Sequence, residues 1–275
     1  MRGLRILVRA LIAFLAVLAG LALLAAIFKD QVAEGVRWII TAPPLFTPPA
    51  PTILVPRGPM PTGAVGLQQW LQVPGGSFTA IQTSGFLLKL PSGEVIGVTT
   101  AHSLFAEDPH RQLARVALGV NGQSAPAAEA DVYYGPPGQP FARNDFAMDY
   151  VLLKVGAADP ALALEPDPRD LAQPGERVTL FSGLGDGQGG ADPRGGTVLS
   201  AGPEGIVILM DETDFNPAGM SGSPVVSQTT GRVVGMAIGA ALYHTRWEIG
   251  LHPIRHLLQT AESAREFPRI ADFRR

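Results

Sequence analysis

The stretch NPAGMSGSPVV, residues 216–226, places Ser221 among turn-forming residues, shortly before a β-branched run. Gly219, Gly222 and Pro224 surround Ser221. Because glycine and proline punctuate turns, one interpretation is a tight turn that leads into a strand. The other is a serine nucleophile presented on that turn. A serine hydroxyl is a weak nucleophile, so the second interpretation requires an imidazole base and a carboxylate that orients the imidazole.

The histidines of the chain offer one good candidate for that base. His102 lies in VTTAHSLF, at the end of an apolar run and inside a turn of small residues, where an imidazole can face a cleft. The other histidines lie in a polar loop or in the C-terminal part of the chain: His110, His244, His252 and His256. Any one of these alone is more typical of a surface or core position than of a catalyst.

Two aspartates compete for the role of the orienting carboxylate. Asp149 in NDFAMDYVLLKV directly precedes an apolar strand-like run, so its side chain is expected at a strand start beside the core. Asp145 lies four residues earlier in a polar stretch that is typical of a loop. The pattern favours Asp149.

Short β-like runs bounded by Gly, Pro, Asn or Asp follow one another from about residue 66. FTAIQTSGFLLKL, PSGE and VIGVTTAHSLF are typical of a strand, a turn and a second strand. Many short strands with turn signals between them favour a β-sandwich or barrel, and the 32 glycines and 25 prolines agree with a turn-rich β protein. Two helices are expected, a short one near residues 170–172 and one in HPIRHLLQTAESAREF, residues 252–267.

The composition excludes several classes of function. The net charge of −3 provides no basic excess for phosphates, so a nucleic-acid partner is not expected. The chain has no cysteine, which excludes disulfides, thiol nucleophiles and Cys-ligated metals. We expect neither a metal nor a cofactor, and the composition does not predict an oligomeric state.

The N-terminus MRGLRILVRALIAFLAVLAGLALLAAIFKD has no charged residue from position 10 to position 28. As a helix this run is about 28 Å long, which matches a bilayer core. Arg2, Arg5 and Arg9 precede it, which favours a cytoplasmic N-terminus with the rest of the chain outside the cytoplasm, periplasmic or extracellular. We predict an uncleaved signal anchor at residues 1–30. The alternative is a signal peptide whose removal leaves a secreted protein, although AIFKDQVAEG is a poor cleavage site.

A proline-rich stretch, TAPPLFTPPAPTILVPRGPMPTGA, follows the apolar run. Proline favours extended polyproline geometry, so residues 31–64 are predicted to be a semi-rigid spacer; a tail with no spacing role is the alternative. Residues 65–275 are then predicted to form the functional domain.

The segments VTTAHS, MDYVLLKV and NPAGMSGSPVV resemble the His, Asp and Ser segments of trypsin-like serine proteases, in that family's chain order. The motifs are most similar to those of bacterial HtrA/DegP-like proteases and glutamyl endopeptidases. The resemblance implies an all-β domain of two packed six-stranded barrels, with His102, Asp149 and Ser221 in the cleft between them. Together with the apolar N-terminus, it predicts a transmembrane helix, then the two barrels, then a short C-terminal helix.

The resemblance also implies roles for residues near the serine. The backbone N–H groups of Gly219 and Ser221 would form an oxyanion hole. Phe215 would lie at the base of the specificity pocket, which favours small or medium apolar side chains before the cleaved bond. The segment Ala237, Ile238 and Gly239 would pair with an extended peptide substrate.

This chain departs from the family pattern at several positions. Ser223 stands where many relatives have glycine, and Ala237 stands where many have a serine that supports the aspartate. Many secreted relatives are zymogens, in which a new N-terminal ammonium pairs with an aspartate just before the catalytic serine. Met220 occupies that position here, so activation by such an ion pair is not expected.

The sequence therefore predicts a membrane-anchored serine endopeptidase that hydrolyses polypeptides. The alternative is a catalytically silent trypsin-like fold that binds peptides or a membrane partner.

Overall fold

Two antiparallel β-sheets make up most of the computed structural model, which describes residues 51–54, 56–105, 110–140, 146–184, 192–214, 216–243 and 245–274. The chain divides into two compact units, Met1–Leu45 and Phe46–Arg275, and all described residues belong to the second. The predicted anchor at residues 1–30 lies outside the described residues, as do Asp145, Phe215 and His244. Within the described ranges, no helix has the length and apolar character that crossing a membrane requires.

The first sheet has eight strands, which come from the N-terminal half of the described residues. They are β1 Leu67–Gln72, β2 Phe78–Lys89, β3 Val95–Thr99, β4 Arg115–Gly119, β5 Ala128–Ala130, β6 Val132–Tyr133, β7 Val151–Lys154 and β8 Ala163–Leu164. Their order is β5-β4-β1-β2-β3-β7-β6, and β8 pairs in parallel with β2. Six strands were expected here. The count differs for two reasons. The strand pairing changes at Asp131, where β5, paired with β4, ends and β6, paired with β7, begins. In addition, β8 adds a short parallel pair with β2.

The second sheet is a closed six-stranded barrel, as expected. Its strands are β9 Arg177–Ser182, β10 Asp192–Gly202, β11 Gly205–Met210, β12 Pro224–Ser227, β13 Val233–Tyr243 and β14 Arg246–Pro253. They are ordered β10-β11-β14-β13-β12-β9, and β9 pairs with β10 to close the barrel. Closure gives every strand of this sheet a partner on both sides along part of its length.

Separate apolar cores fill the second barrel and the space between the two sheets. Val178, Leu180 and Leu251 belong to the barrel core and are fully buried. The core between the sheets joins Phe86 on β2 with Ile238 on β13. Burying one such side chain contributes about 1.5–3 kcal/mol, so this shared core holds the two sheets together along the seam where the candidate site lies.

Two α-helices occur among the described residues, α1 Ala101–Phe105 and α2 Ile254–Ser263. Helix α2 confirms the C-terminal helix, and Leu257 packs into the core between the sheets. The prediction of a short helix near residues 170–172 was wrong, because the structure has bends there. The Asp167 carboxylate accepts the backbone N–H of Arg169 at 2.9 Å, which fixes a local turn just before this stretch instead of a helix.

The proline-containing stretch just before β1 packs against the second barrel. The N–H of Gly58 donates to the C=O of Thr229 at 3.0 Å. A Cβ on Gly58 would lie 2.2 Å from the C=O oxygen of Thr230, so two backbones touch here. This contact is with the β12–β13 turn.

Candidate active site

His102 is delivered by the short helix α1, which begins two residues after β3 ends. Thr99, Thr100 and Ala101 are fully buried, whereas the His102 side chain is 22% exposed. The sequence placed this histidine in a turn at a strand end, and the structure makes that turn the first turn of a helix. The ring therefore stands at the border between the core and solvent.

Asp149 holds His102 through two hydrogen bonds. The imidazole Nδ1 lies 2.6 Å from Oδ2, and the backbone N–H of His102 donates to Oδ1 at 3.0 Å. The carboxylate is completely buried, so it accepts these bonds away from competing water. A carboxylate facing Nδ1 places the proton on Nδ1, which leaves the lone pair of Nε2 available as a base.

Ser221 lies on a tight loop between two glycines with left-handed backbone. Gly219 has φ +82° and Gly222 has φ +89°. A Cβ on Gly222 would lie 2.0 Å from the C=O oxygen of Ser84 and 3.0 Å from Oγ1 of Thr99. The loop that carries Ser221 is thus pressed against the first sheet, next to the strand end that leads to His102.

The Ser221 hydroxyl has a hydrogen-bond partner, whereas two backbone N–H groups of the same loop have none among the described residues. Oγ of Ser221 donates to the C=O of Ile238 at 3.0 Å. In the part of the chain that the structure describes, neither the N–H of Gly219 nor the N–H of Ser221 has an acceptor. Two unpaired N–H groups on one loop, one of them on the residue that carries the hydroxyl, suit an oxygen that develops negative charge.

The predicted substrate-binding residues lie on β13. Ala237 is buried and is tied to the serine loop, because its C=O accepts the N–H of Gly222 at 2.8 Å. Ile238 is buried in the core between the sheets, and Gly239 is half-buried and faces Gly250 of β14. Beyond Ala237, no strand among the described residues pairs with the side of β13 that faces away from β14.

Two further residues near the serine, Ser223 and Met220, are buried. Ser223 is fully buried, and its hydroxyl has no hydrogen-bond partner within the described ranges. Met220 is 5% exposed and belongs to the core of the second barrel. Among the described residues, no group of acidic or histidine side chains is arranged to hold a metal ion.

His252 is a structural histidine rather than a second candidate base. It is fully buried, with Nε2 3.0 Å from the C=O of Ala147 and the ring stacked on His256. Burial lowers the pKa of His252 to about 4, which keeps the ring neutral in the fold.

Ser84 is a site residue that the sequence interpretation did not single out. It lies in the middle of β2, is fully buried and bonds the serine loop through both its side chain and its backbone. The one signal in the sequence was the small pair SG inside the apolar run FTAIQTSGFLLKL, a weak mark of close backbone approach.

A family model of the trypsin-like peptidase domain matches residues 83–236, more than half of the chain. This chain belongs to the trypsin-like peptidase family. The matched span contains His102, Asp149 and Ser221. The protein is thus a peptidase of the trypsin-like serine protease type, and its substrates are polypeptides.

Comparison with individual proteins adds little to the family assignment. The solved structures to which the peptidase is similar include an inactive serine-to-alanine mutant of Rv3671c from M. tuberculosis H37Rv, at 14% identity and a TM-score of 0.48. That alignment covers 73% of this chain and 86% of the other. No curated protein matches the chain.

Proposed function

We propose that this trypsin-like peptidase is a serine endopeptidase with His102 as base, Asp149 as orienting carboxylate and Ser221 as nucleophile. The observation that carries the proposal is the pair of hydrogen bonds from His102 to the buried Asp149. A buried carboxylate that accepts hydrogen bonds from both the ring and the backbone of one histidine fixes the position and the tautomer of that ring. A general base requires both.

The reaction follows from these positions. Oγ of Ser221 bonds to the carbonyl carbon of the substrate while its proton passes to Nε2 of His102. The carbonyl oxygen becomes an oxyanion, which the N–H groups of Gly219 and Ser221 stabilise. The amine then leaves with the proton from His102. Water gives a proton to His102, its oxygen attacks the acyl group, and Ser221 recovers the proton as it leaves.

The hydroxyl of Ser221 must change its partner before the attack. It donates to the C=O of Ile238 in this structure, and it has to donate to His102 instead when it reacts. Rotation about its Cα–Cβ bond makes this exchange. The C=O of Ile238 is then available to a substrate N–H, so we propose that an extended peptide pairs with β13 along 237–239 as an added strand.

Residues 10–28 are proposed to anchor the peptidase in a membrane, with the β domain outside the cytoplasm. The support is the apolar run itself, preceded by three arginines and uninterrupted by charge. Cells that express the full chain should retain it in the membrane fraction, where protease added from outside degrades the β domain. A soluble mature product would show cleavage of a signal peptide instead.

A fluorophosphonate probe tests the catalytic proposal, because it reacts with an activated serine. The wild-type protein should be labelled and should hydrolyse a peptide library, whereas Ser221→Ala should lose both properties and keep its fold. Ser223→Ala is the matched control, two residues away and buried, and it should remain reactive. Wild-type protein that binds peptides without labelling or hydrolysis would identify a silent binding module.

A further inference from the structure

Ser84 sits where the first sheet meets the loop that carries the nucleophile. Its hydroxyl donates to the C=O of Gly219 at 3.0 Å and accepts the N–H of Gly183 at 3.0 Å. Its own backbone N–H donates to the C=O of Ser221 at 3.0 Å. One buried residue of β2 therefore bonds both residues whose N–H groups face the proposed oxyanion site.

Ser84 is also bonded to the strand that leads to His102. Oγ1 of Thr99, on β3, donates to the C=O of Ser84 at 2.9 Å. A continuous series of hydrogen bonds thus runs from β3, through Ser84, to the serine loop. The histidine side and the serine side of the site come from different sheets, and this series sets their relative position.

Two glycines near Ser84, Gly183 and Gly222, have no room for a side chain of their own. A Cβ on Gly183 would lie 2.0 Å from the C=O oxygen of Leu67, and one on Gly222 would lie 2.0 Å from that of Ser84. Backbone therefore lies against backbone along this seam. A serine side chain is short enough to reach across it.

We propose that Ser84 is a positioning residue that holds the oxyanion hole in its working geometry. The inference rests on the proposed function. Gly219 has no side chain and a left-handed φ, so its neighbouring peptides rotate readily unless their carbonyls are held. The C=O groups of Gly219 and Ser221 belong to the peptide units that directly follow these two residues. Hydrogen bonds on them restrict rotation about Gly219 and Ser221, which keeps the N–H group of each residue aimed at the oxyanion. Such preorganised donors act mainly in the transition state.

The test is a comparison of kcat and KM for Ser84→Ala. Loss of the hydroxyl frees the Gly219 carbonyl, so kcat should fall about 10- to 100-fold, as expected when reacting groups shift by about 1 Å. KM should change less than about threefold, because ground-state contacts along β13 are untouched. A peptide aldehyde, whose tetrahedral adduct places an oxyanion in the hole, should bind more weakly by a factor similar to the loss in kcat.

Ser227→Ala is the matched control, because Ser227 is another fully buried hydroxyl, on β12, with contacts remote from the serine loop. Both substitutions should lower Tm, whereas only Ser84→Ala should lower kcat. If Ser84→Ala does not fold, Ser84→Cys, which fills the space with a weaker donor, undergoes the same comparison. An unchanged kcat in a folded Ser84 variant would overturn the proposal, and so would an equal loss in Ser227→Ala. Wild-type protein without hydrolysis would instead contradict the proposed function.

Discussion

Asp149 shows how one buried side chain determines what its neighbour can do. Both of its oxygens accept hydrogen bonds from His102, and neither the ring nor the backbone of that residue can turn without losing one. An asparagine offers one acceptor and one donor in the same space. The amide would favour the tautomer that protonates Nε2, which removes the base.

Asp149→Asn is therefore expected to lower kcat by about 10⁴-fold, because the wrong tautomer leaves Ser221 without a base. KM should change little and the far-UV circular dichroism should be unchanged. Steady-state kinetics on a peptide substrate measure this. Asp145→Asn, at the competing aspartate of the sequence, is the control and should retain its rate. The reverse pattern would move the orienting role to Asp145.

His252 predicts how stability depends on pH. The folded protein keeps its ring neutral down to about pH 4, against 6.5 for an ordinary histidine, chiefly because of burial. Between these values the unfolded chain binds more protons than the folded one, so the free energy of unfolding falls as pH is lowered. Across the whole window the loss is on the order of 3 kcal/mol. Tyr150 and His256 face the same ring and share its environment.

Thermal unfolding between pH 7 and pH 4 measures this effect. The Tm of the wild-type protein should decline more steeply on acidification than that of His252→Gln, which has no proton to take up at that site. His110→Gln, at an exposed histidine, should follow the wild type. Equal slopes for the wild type and His252→Gln would show that His252 does not contribute.

At the scale of elements, the serine loop depends on the absence of a side chain at Gly222. An alanine there would have both a left-handed backbone and a Cβ 2.0 Å from a carbonyl oxygen of β2. Gly222→Ala should destabilise the fold by about 3 kcal/mol or more and abolish hydrolysis, because the loop must move away from the first sheet. Denaturant unfolding and peptide hydrolysis measure the two losses.

A substitution at Gly63 distinguishes the cost of a left-handed backbone from the cost of a steric clash at the Cβ. It has φ +99°, similar to Gly222, but nothing lies within 4 Å of a Cβ built on it. Gly63→Ala should lower the free energy of unfolding by about 1 kcal/mol, which is the effect of the left-handed backbone alone. It should leave hydrolysis intact. Equal effects at the two glycines would mean that close backbone approach is unimportant in the serine loop.

The elements that the sequence predicted well are those with local signals. Strand β2, the turn after it, β3 and helix α2 each have their own pattern of apolar and turn-forming residues, and the structure has them all. The division of the first sheet into eight strands was not predictable in the same way. It depends on which strand Ala130 and Val132 pair with, and that is decided by tertiary contacts and not by local residues.

The same limit applies to the site. His102, Asp149 and Ser221 could be proposed from the sequence because each lies in a recognisable segment. Ser84 reads as an ordinary polar residue of a strand. Its hydroxyl partners, Gly183 and Gly219, lie 99 and 135 residues further along the chain, so their contact with it exists only once both sheets have formed.

At the scale of the whole molecule, the packing of Met220 bears on whether the peptidase needs proteolytic activation. In relatives that are zymogens, the residue before the catalytic serine pairs with a newly freed ammonium. Met220 instead is buried in the core of the second barrel, and its N–H donates to the C=O of Pro217 at 3.1 Å. A buried ammonium beside this methionine would have no counter-charge from it, which is costly. We therefore expect apolar packing and the contacts of Ser84 to stabilise the serine loop without a free N-terminus.

The peptidase is thus expected to be active without removal of an N-terminal segment. The test compares two forms that begin at Phe46, one with a free N-terminus and one behind an uncleavable fusion. Both retain Gly58, whose N–H bonds Thr229 and fixes the entry of the chain onto the second barrel. Because the loop is held from within, the two forms should react with a fluorophosphonate at equal rates and have equal kcat. A rate that rises only after the fusion is removed would mean that a free N-terminus orders the serine loop after all.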